Sequence, residues 1–532
     1  MSGLGKGITA ASLGKILTAR GFSVNIQKLD QYLNFDAGTL NPAEHGEVYV
    51  TADGAETDLD LGHYERFIDR ELDQSSSVMT GRILRQILDD ERAGKYLGKT
   101  VQIIPHVTGE IQRHILEASH GFDVQITEIG GTVGDYEGLA LVEAVRQLRQ
   151  KVGAENVMYA HVVFVPYLGT SKEMKTKPAQ NSVRGLREVG IQVDLLCVRS
   201  DNPLNEDAYE KLSLYCDVDP NAIVALPTVK TVYQVPLSME QQGIGKVVCQ
   251  RLGLVQRAAE LENWSALVDS ILRSKKIARI GLVAKYLSNE DTYKSVCEAI
   301  HAAGWYHSRN TEIVWIDAEE LEADVSALQT VEGIVVPGGF GKRGVEGKIK
   351  AIEYARLNNL PFLGLCLGMQ AAVIEFARNV AGLEGAHSTE FNPDTQYPVI
   401  DILPGQSGKN MGGTMRLGNY TAQVRPDSRT EQIYGVKKIT ERHRHRYEFN
   451  NEYAKKLSDA GLIFAAKSAD NSLVEMIELD KHPFFVASQF HPEFLSRPNR
   501  PHPLFREFIG ATIKNASYKP TANCKSNKRV LS

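Results

Sequence analysis

Short apolar runs of strand type alternate with helical stretches along nearly the whole chain, and this alternation restricts the possible folds more than any other feature. It is typical of α/β domains, in which helices connect the strands of parallel sheets. The runs form two series. The first includes residues 23–30, 122–131, 160–168, 193–200 and 222–227, and the second includes residues 278–285, 311–317, 332–339, 360–366 and 484–491. We therefore predict an α/β protein with two parallel-sheet domains.

The segment between the two series marks the expected domain boundary. Residues 255–277 read as a helix followed by a charged linker, which places the first domain at 1–254 and the second at 278–514. From Lys514 onwards the chain carries five basic residues, no acidic residue and few apolar ones. Because such a tail has little apolar surface to bury, residues 515–532 are predicted to be disordered.

Charge and composition argue against several function classes. The 532 residues include 60 Lys and Arg against 65 Asp and Glu, and a net charge of −5 over this length does not fit a dedicated nucleic-acid-binding or membrane-surface protein. No apolar run approaches the roughly 20 residues of a membrane helix, and the first residues do not resemble a secretory signal. The six cysteines form no CxxC pair, so we expect no zinc ribbon, no disulfide framework and a cytoplasmic location.

The sequence SGLGKGITAASLGKIL near the start predicts a phosphate-binding turn. Its glycines and Lys6 come directly before a helical pattern with Leu13, Ile16 and Leu17 on one face. Small residues let backbone N–H groups approach a phosphate, the N-terminus of a helix favours an anion, and a lysine adds positive charge. A flexible turn at the start of a helix is the alternative.

Three acidic residues in the first half predict a magnesium site. Asp58 and Asp60 stand two positions apart, so their carboxylates share one face of an extended segment. Glu128 ends an apolar strand just before a pair of glycines, at the edge where parallel sheets bind ligands. Mg²⁺ beside bound phosphates requires a few such oxygen ligands. Solvated loop acids are the alternative for each residue taken singly.

A cluster of lysines predicts a second polyphosphate site. Lys172, Lys175 and Lys177 precede a helical pattern whose first turn contains Pro178. Positive charge at the start of a helix suits a polyphosphate, whereas an exposed charged surface is the alternative.

The second half contains a candidate cysteine nucleophile. Cys366 lies at a sharp turn between an apolar strand and a helix, where a helix N-terminus lowers the pKa of a thiol. His491 and Glu493 follow another strand, in the order expected for a base and the carboxylate that orients it. The backbone N–H groups of Gly339 and Leu367 could form an oxyanion hole. A buried structural cysteine is the alternative.

The segment ERHRHRYEF at 441–449 is a third charged feature. A metal site and a nucleic-acid patch are both conceivable. The alternation of charged residues favours a solvated surface over either, unless one arginine reaches a substrate carboxylate.

Taken in order, the motifs resemble the CTP synthase family across almost the whole chain. They are SGLGKGI, DGAETDLDLGHYERF, EIGGTVGD, KTKPAQ, VPGGFGKRGVEG, LGLCLGMQ, GGTMRLG, ERHRHRYE and QFHPEF. The resemblance implies an N-terminal amidoligase domain of P-loop type, similar to dethiobiotin synthetase, followed by a class I glutamine amidotransferase domain. The implied reaction is the ATP-dependent amination of UTP to CTP with ammonia from glutamine, which is hydrolysed to glutamate.

The resemblance also implies roles for individual residues. Those implied to bind ATP are Gly3, Leu4, Gly5, Lys6, Gly7, Ile8, Lys28, Asp60 and Val229. Those implied to bind UTP or CTP are Ser2, Asp135, Tyr136, Glu137, Lys175, Thr176, Lys177, Pro178, Ala179, Gln180 and Lys211. Those implied to bind glutamine are Gly339, Leu367, Gly368, Met369, Gln370, Glu390 and Arg446. Asp60 and Glu128 would hold Mg²⁺, and Cys366, His491 and Glu493 would form the glutaminase triad.

The family further implies activation by GTP, inhibition by CTP and a homotetramer. Two alternatives stay open at the level of sequence. The chain could be a glutaminase with an inactive synthetase half, or a nucleotide-binding scaffold with vestigial chemistry. The complete set of Cys366, His491 and Glu493 argues against a scaffold alone.

The start of the chain departs most from the family. CTP synthases begin with an apolar strand and two glycines ahead of the serine that matches Ser2, whereas Met1 stands directly before Ser2 here. Such a strand would be buried on both faces of a parallel sheet. We therefore expect the natural protein to carry about a dozen more residues, and this 532-residue chain to bind ATP poorly.

Overall fold

The computed structural model describes residues 3–402 and 415–518. The predictions for Ser2, for the first residues of GGTMRLG and for residues 519–532 lie outside this part of the chain. Within the described residues, no helix is both long and apolar enough to cross a membrane.

Helices and strands alternate through most of the described chain. The α-helices are α1 (Lys6–Ala19), α2 (Pro42–His45), α3 (Asp60–Ile68), α4 (Thr80–Arg92), α5 (Thr108–Ala118), α6 (Leu139–Val152), α7 (Lys177–Glu188), α8 (Glu206–Cys216), α9 (Val235–Gln241), α10 (Ile244–Arg251), α11 (Glu262–Arg273), α12 (Lys294–Tyr306), α13 (Val345–Leu357), α14 (Leu367–Asn379), α15 (Arg429–Tyr434), α16 (Ala454–Asp459) and α17 (Pro503–Tyr518). The strands are β1 (Val24–Asp30), β2 (Tyr49–Val50), β3 (Glu56–Thr57), β4 (Ser77–Met79), β5 (Val124–Ile129), β6 (Ala160–Phe164), β7 (Tyr167–Leu168), β8 (Glu173–Met174), β9 (Leu195–Ser200), β10 (Ile223–Pro227), β11 (Ile277–Ala284), β12 (Asn310–Asp317), β13 (Gly333–Val336), β14 (Phe362–Leu365), β15 (His387–Ser388), β16 (Pro398–Ile402), β17 (Arg416–Val424), β18 (Lys438–His445), β19 (Tyr447–Phe449), β20 (Ile463–Ser468), β21 (Val474–Glu478) and β22 (Phe485–Ser488).

The first half is built on two parallel three-stranded sheets, with the strand orders β4-β1-β5 and β10-β9-β6. Every residue of β1 is buried, as expected for a central parallel strand. Its register with β5 sets Lys28 opposite Glu128. The sequence alternation thus brings two of the predicted site residues together at the carboxyl ends of neighbouring strands.

The second half contains a nine-stranded sheet in the order β12-β11-β13-β14-β22-β21-β20-β17-β18. The first five strands of this order are parallel and the other four join it antiparallel. Because β14 and β22 are adjacent and parallel, their carboxyl ends place Cys366 and His491 at the same sheet edge. The predicted α/β class with two parallel-sheet halves is confirmed, whereas the antiparallel strands were not predicted.

The two segments expected to lie outside the domains contain helices. The linker region includes α11, whose Trp264 is buried against Phe67 and Tyr233 of the first half at ring distances of 5.3 and 5.6 Å. The last helix, α17, continues to Tyr518, four residues into the tail predicted to be disordered. The helix within 255–277 agrees with the sequence analysis, whereas α17 runs past the predicted start of the disordered tail.

The two halves touch through backbone as well as side chains. The N–H of Asn419 donates to the carbonyl of Ala52 at 2.8 Å. Gly54 and Gly418 both have left-handed backbones, with φ of 91° and 87°. A Cβ on Gly418 would lie 2.6 Å from the nitrogen of Gly54, so only glycine permits this approach.

Candidate active sites

The predicted phosphate-binding turn leads directly into helix α1. Gly5 precedes the helix with a left-handed φ of 96°, and Lys6 donates from Nζ to the carbonyl of Gly131 at 2.9 Å. A Cβ on Gly7 would lie 2.9 Å from Cγ of Asp60, so the turn rests against that carboxylate. The structure therefore brings the glycine turn, the predicted metal ligand and the loop after β5 into one place.

Four carboxylates surround the buried ammonium of Lys28. Its Nζ lies 3.1 Å from Asp58 and 3.9 Å from Asp30, and it is hydrogen-bonded to Asp60. Burial lowers the pKa of Lys28, but these carboxylates and Glu128 outweigh burial and raise it well above its usual value. The amine thus stays charged where a negatively charged group would bind.

Asp30 and Glu128 are the most deeply buried carboxyl groups of this cluster. Burial raises the pKa of each to about 7, and the neighbouring Asp60 adds to the effect at Glu128. The hydroxyl of Tyr64 donates to Glu128. Sequence reasoning missed Asp30 and Tyr64 because neither belongs to a recognisable metal motif.

The carboxylate cluster fits a magnesium ion bound together with phosphates. Four acidic groups face one lysine, and Oδ2 of Asp30 is buried without a hydrogen-bond partner within the described residues. Among those residues, no group of three or more His, Cys, Asp or Glu could hold a metal ion by itself. Mg²⁺ commonly takes only one or two carboxylates and completes its shell with phosphate and water, so two carboxylates such as those of Asp60 and Glu128 would suffice as its protein ligands.

The residues predicted to bind UTP or CTP follow β5 and β6, except for Lys211, which lies on α8 after β9. Asp135 accepts a hydrogen bond from the N–H of Thr132 at 2.8 Å, while Tyr136 is 89% exposed. Thr176, Ala179 and Gln180 are buried at the start of α7, whereas Lys175, Lys177 and Lys211 are partly or fully exposed. Helix α7 packs against the loop before Asp135, since a Cβ on Gly185 would lie 3.3 Å from Val133. Val229 is half-buried just after β10.

Cys366 occupies a strained turn between β14 and α14. Its φ of 51° and ψ of −104° are unusual for a residue with a side chain, and its N–H donates to the carbonyl of Ser488 at 2.7 Å. The thiol is 4% exposed and lies 3.7 Å from Nε2 of Gln489. The turn therefore presents the sulfur at the N-terminus of a buried helix, as the sequence predicts.

His491 and Glu493 lie where the predicted base and its orienting carboxylate should be. Nδ1 of His491 is 2.7 Å from Glu493, and Nε2 has no hydrogen-bond partner among the described residues. A Cβ on Gly338 would lie 2.8 Å from Cε1 of His491 and 3.5 Å from Cβ of Cys366, so imidazole and thiol converge there. Burial lowers the pKa of His491, but the negative charges of Glu493 and Cys366 outweigh burial and raise it to about 10.

The structure places the predicted glutamine-binding residues on α14, on the segment that meets the Gly341 turn, and between β18 and β19. Leu367, Gly368, Met369 and Gln370 form the buried first turn of α14, and Gln370 donates to the carbonyl of Tyr447 at 3.0 Å. Glu390 accepts a hydrogen bond from Gly341 at 2.7 Å, beside the turn that contains Gly339. Arg446 is half-buried between β18 and β19.

Two buried lysines support the glycine turn and were not predicted. Lys348 is fully buried and donates to the carbonyl of Pro337 at 3.1 Å, and burial lowers its pKa to about 7. Lys285 donates to the carbonyls of Phe340 and Gly341, and burial lowers its pKa to about 8. Their spacing in the sequence gave no signal, because only the fold brings them to this turn.

The prediction that residues 441–449 form a solvated surface is wrong. Arg442, His443 and His445 are each at most 1% exposed. On β18, Arg442 and Arg444 face the first half, where they pair with Glu65 and Glu56, while the two histidines contact each other at 2.8 Å on the other face. The charged residues suggested solvent exposure, but carboxylates of the first half compensate the positive charge of the arginines in the interior.

Two families match the chain. The family described as CTP synthase N-terminus matches residues 1–254, and the family described as glutamine amidotransferase class-I matches residues 289–511. A CTP synthase from Carboxydothermus hydrogenoformans is 54% identical over 519 residues, which cover 97% of each chain, and one from Bacillus cytotoxicus is 52% identical over 524 residues, or 98% of each. The glutaminase domain of Trypanosoma brucei CTPS with bound acivicin is 40% identical, covers 44% of this chain and 94% of that chain, and has a TM-score of 0.43.

Fold and site together define a class I glutamine amidotransferase joined to a nucleotide-binding α/β half. The CTP synthases that are more than 50% identical over nearly the whole chain narrow this class to one family. The chain belongs to the CTP synthase family. This confirms the resemblance and the enzyme class predicted from the sequence.

Replacing Glu493 with glutamine is expected to shift the pH dependence of glutamine hydrolysis. The negative charge of Glu493 is the main influence that raises the pKa of His491 against burial, so its loss lowers that pKa. With the pKa of His491 at about 10, we expect the alkaline fall of kcat/KM in the parent enzyme near that pH, and it should move to lower pH by about one unit or more in Glu493→Gln. Glutamate release measured across the pH range tests this, with the exposed Glu452→Gln as control. An unchanged alkaline limb in Glu493→Gln would contradict the assignment.

Proposed function

We propose that this chain forms CTP from UTP, ATP and glutamine in two coupled centres. The observation that carries the proposal is the convergence of Cys366, His491 and Glu493 in one half, together with the charged cluster around Lys28 in the other. Each centre contains the groups that one half-reaction needs. The CTP synthase relatives support the combination of the two.

In the glutaminase half, the thiolate of Cys366 attacks the amide carbon of glutamine. As the C–N bond breaks, His491 delivers a proton to the departing ammonia, and a thioester remains. Backbone N–H groups at Gly339 and Leu367 stabilise the developing oxyanion. Water then releases glutamate, with Glu493 holding the imidazole in place.

In the synthetase half, phosphorylation by ATP converts the 4-oxygen of UTP into a leaving group that ammonia displaces. The turn around Lys6 would hold the ATP phosphates, and Lys28 would offset the charge on the transferred group. When bound at Asp60 and Glu128, Mg²⁺ would supply further charge neutralisation. Ammonia must travel inside the protein, because in water it would be protonated and lost.

The finer assignments belong to the same proposal. The UTP and CTP contacts around Asp135 and Lys175, the GTP activation, the CTP inhibition and the homotetramer follow from the family alone. The domain bounds 1–254 and 278–514 accord with the two matched families. The cytoplasm is the proposed location.

Separate measurement of glutamate release and CTP formation tests the proposal. We expect both products with glutamine, and CTP without glutamate when ammonia is supplied. Glutamate release without CTP under either nitrogen source would identify a glutaminase with an inactive synthetase half. Nucleotide binding with neither product would identify a scaffold.

A further inference from the structure

A buried ion cluster connects the first half of the chain to the catalytic histidine segment of the second. Glu65 lies on α3 with no exposed side-chain surface, and its Oε2 is 3.0 Å from Arg442 and 2.7 Å from Arg497. The hydroxyl of Tyr49 is 2.8 Å from the same oxygen, and Oε1 accepts a hydrogen bond from the N–H of Leu72 at 2.9 Å. One carboxylate of the first half therefore compensates two guanidinium groups of the second.

Both arginines hold the backbone that carries the catalytic pair. The carbonyl of Arg442 accepts a hydrogen bond from the N–H of His491 at 2.8 Å. Arg497 donates to the carbonyls of Phe494 and Ser496 at 2.9 and 3.1 Å. The segment 491–497 is thus held at its start by the backbone of Arg442 and near its end by the side chain of Arg497, and both arginines pair with Glu65.

Aromatic packing connects the same cluster to the imidazole. The ring of Phe494 stacks on His491 with a centroid distance of 5.3 Å and an interplanar angle of 20°. The ring of Tyr49 packs edge-on against Phe494 with a centroid distance of 4.8 Å, and its hydroxyl donates to the Phe494 carbonyl at 3.1 Å. The orientation of His491 therefore rests on residues of both halves.

We infer that Glu65 is a positioning residue for glutamine hydrolysis, which holds the His491–Glu493 pair in its reactive orientation through Arg442 and Arg497. This inference rests on the proposed function. Helix α3 begins at Asp60, the proposed Mg²⁺ ligand, and reaches Glu65 five residues later. A single rigid helix thus runs from the nucleotide site to the support of the glutaminase centre.

The test compares Glu65→Gln with Glu71→Gln. Glu71 approaches the same Arg442 at 3.4 Å, but its side chain is 45% exposed, so it serves as a matched control. We expect Glu65→Gln to lower kcat for glutamine hydrolysis by about 10²-fold, since a displacement of about 1 Å has that effect, with KM for glutamine nearly unchanged. CTP formation from supplied ammonia should be retained, and Glu71→Gln should behave like the parent enzyme in both assays.

A second variant, Arg497→Gln, changes the partner of Glu65 in the other half of the chain. It keeps the inference testable if Glu65→Gln fails to fold. It should show the same selective loss. The double variant should be no slower than the slower single variant, because both changes remove the Glu65–Arg497 contact. The inference would be overturned if Glu65→Gln kept full glutaminase activity, or if the ammonia-dependent reaction were lost together with glutamine hydrolysis. It would also be overturned if the effects of the two substitutions on kcat were additive in the double variant. Absence of glutamate release by the parent enzyme would instead refute the proposed function.

Discussion

Cys366→Ala is expected to abolish glutamine-dependent CTP formation while sparing the reaction with supplied ammonia. The thiol is the only group at the strained turn that can form the thioester, and alanine removes it without changing the bulk of the fold. Loss of a nucleophile of this kind reduces turnover by about 10⁴-fold or more. The ammonia-dependent reaction uses only the first half, so its rate should stay within about twofold of the parent.

The measurement is CTP formation with each nitrogen source, together with glutamate release. Cys297→Ala, a substitution in the same half but on α12, is the matched control and should change neither rate. Loss of both activities in a folded Cys366→Ala protein would rule out two separable centres. Retained glutamine hydrolysis would show that another residue is the nucleophile.

Asp60→Asn and Glu128→Gln should impair amination and spare glutamine hydrolysis, the reverse of the effect expected for Cys366→Ala. Each removes one of the charges that surround Lys28 and would bind Mg²⁺, and neither residue touches the glutaminase triad. We expect ATP-dependent amination to fall by about 10²-fold or more with either nitrogen source, while basal glutamine hydrolysis continues.

Amination rates measured at limiting and saturating Mg²⁺ check this second prediction. Asp89→Asn, on the exposed face of α4, provides a control for loss of a carboxylate. Normal amination by Asp60→Asn or Glu128→Gln at limiting Mg²⁺ would show that the metal is held elsewhere. Simultaneous loss of glutaminase turnover would indicate that the change acts through the fold.

The sequence was most informative where one local pattern decides the structure. The strands that carry Lys28 and Glu128 read as apolar runs followed by polar residues, and both form in a parallel sheet. Likewise, the apolar strand, the tight turn and the helix around Cys366 are indicated by residues that are close together in the sequence. The individual assignments of ligand contacts remain predictions.

Features that depend on distant partners could not be predicted. The charged stretch at 441–449 is buried because Glu56 and Glu65, almost 400 residues earlier, compensate its arginines. Lys348 and Lys285 reach the glycine turn only through the packing of the second half. Neither composition nor local periodicity contains this information, since a lone charged residue is normally exposed.

The alternation along β18 also limits how this region can change in evolution. Arg442 and Arg444 reach across to the other half, and His443 and His445 point the opposite way into their own half. Insertion or deletion of one residue in this strand would move the arginine side chains to the face of the histidines and the histidine side chains to the face of the arginines, because strand side chains alternate with a period of two. Guanidinium groups would then enter the glutaminase interior while imidazoles faced Glu56 and Glu65. Length variation among relatives should therefore be tolerated only outside residues 438–445. Point substitutions, by contrast, can be accepted on one face of the strand without changing the other face.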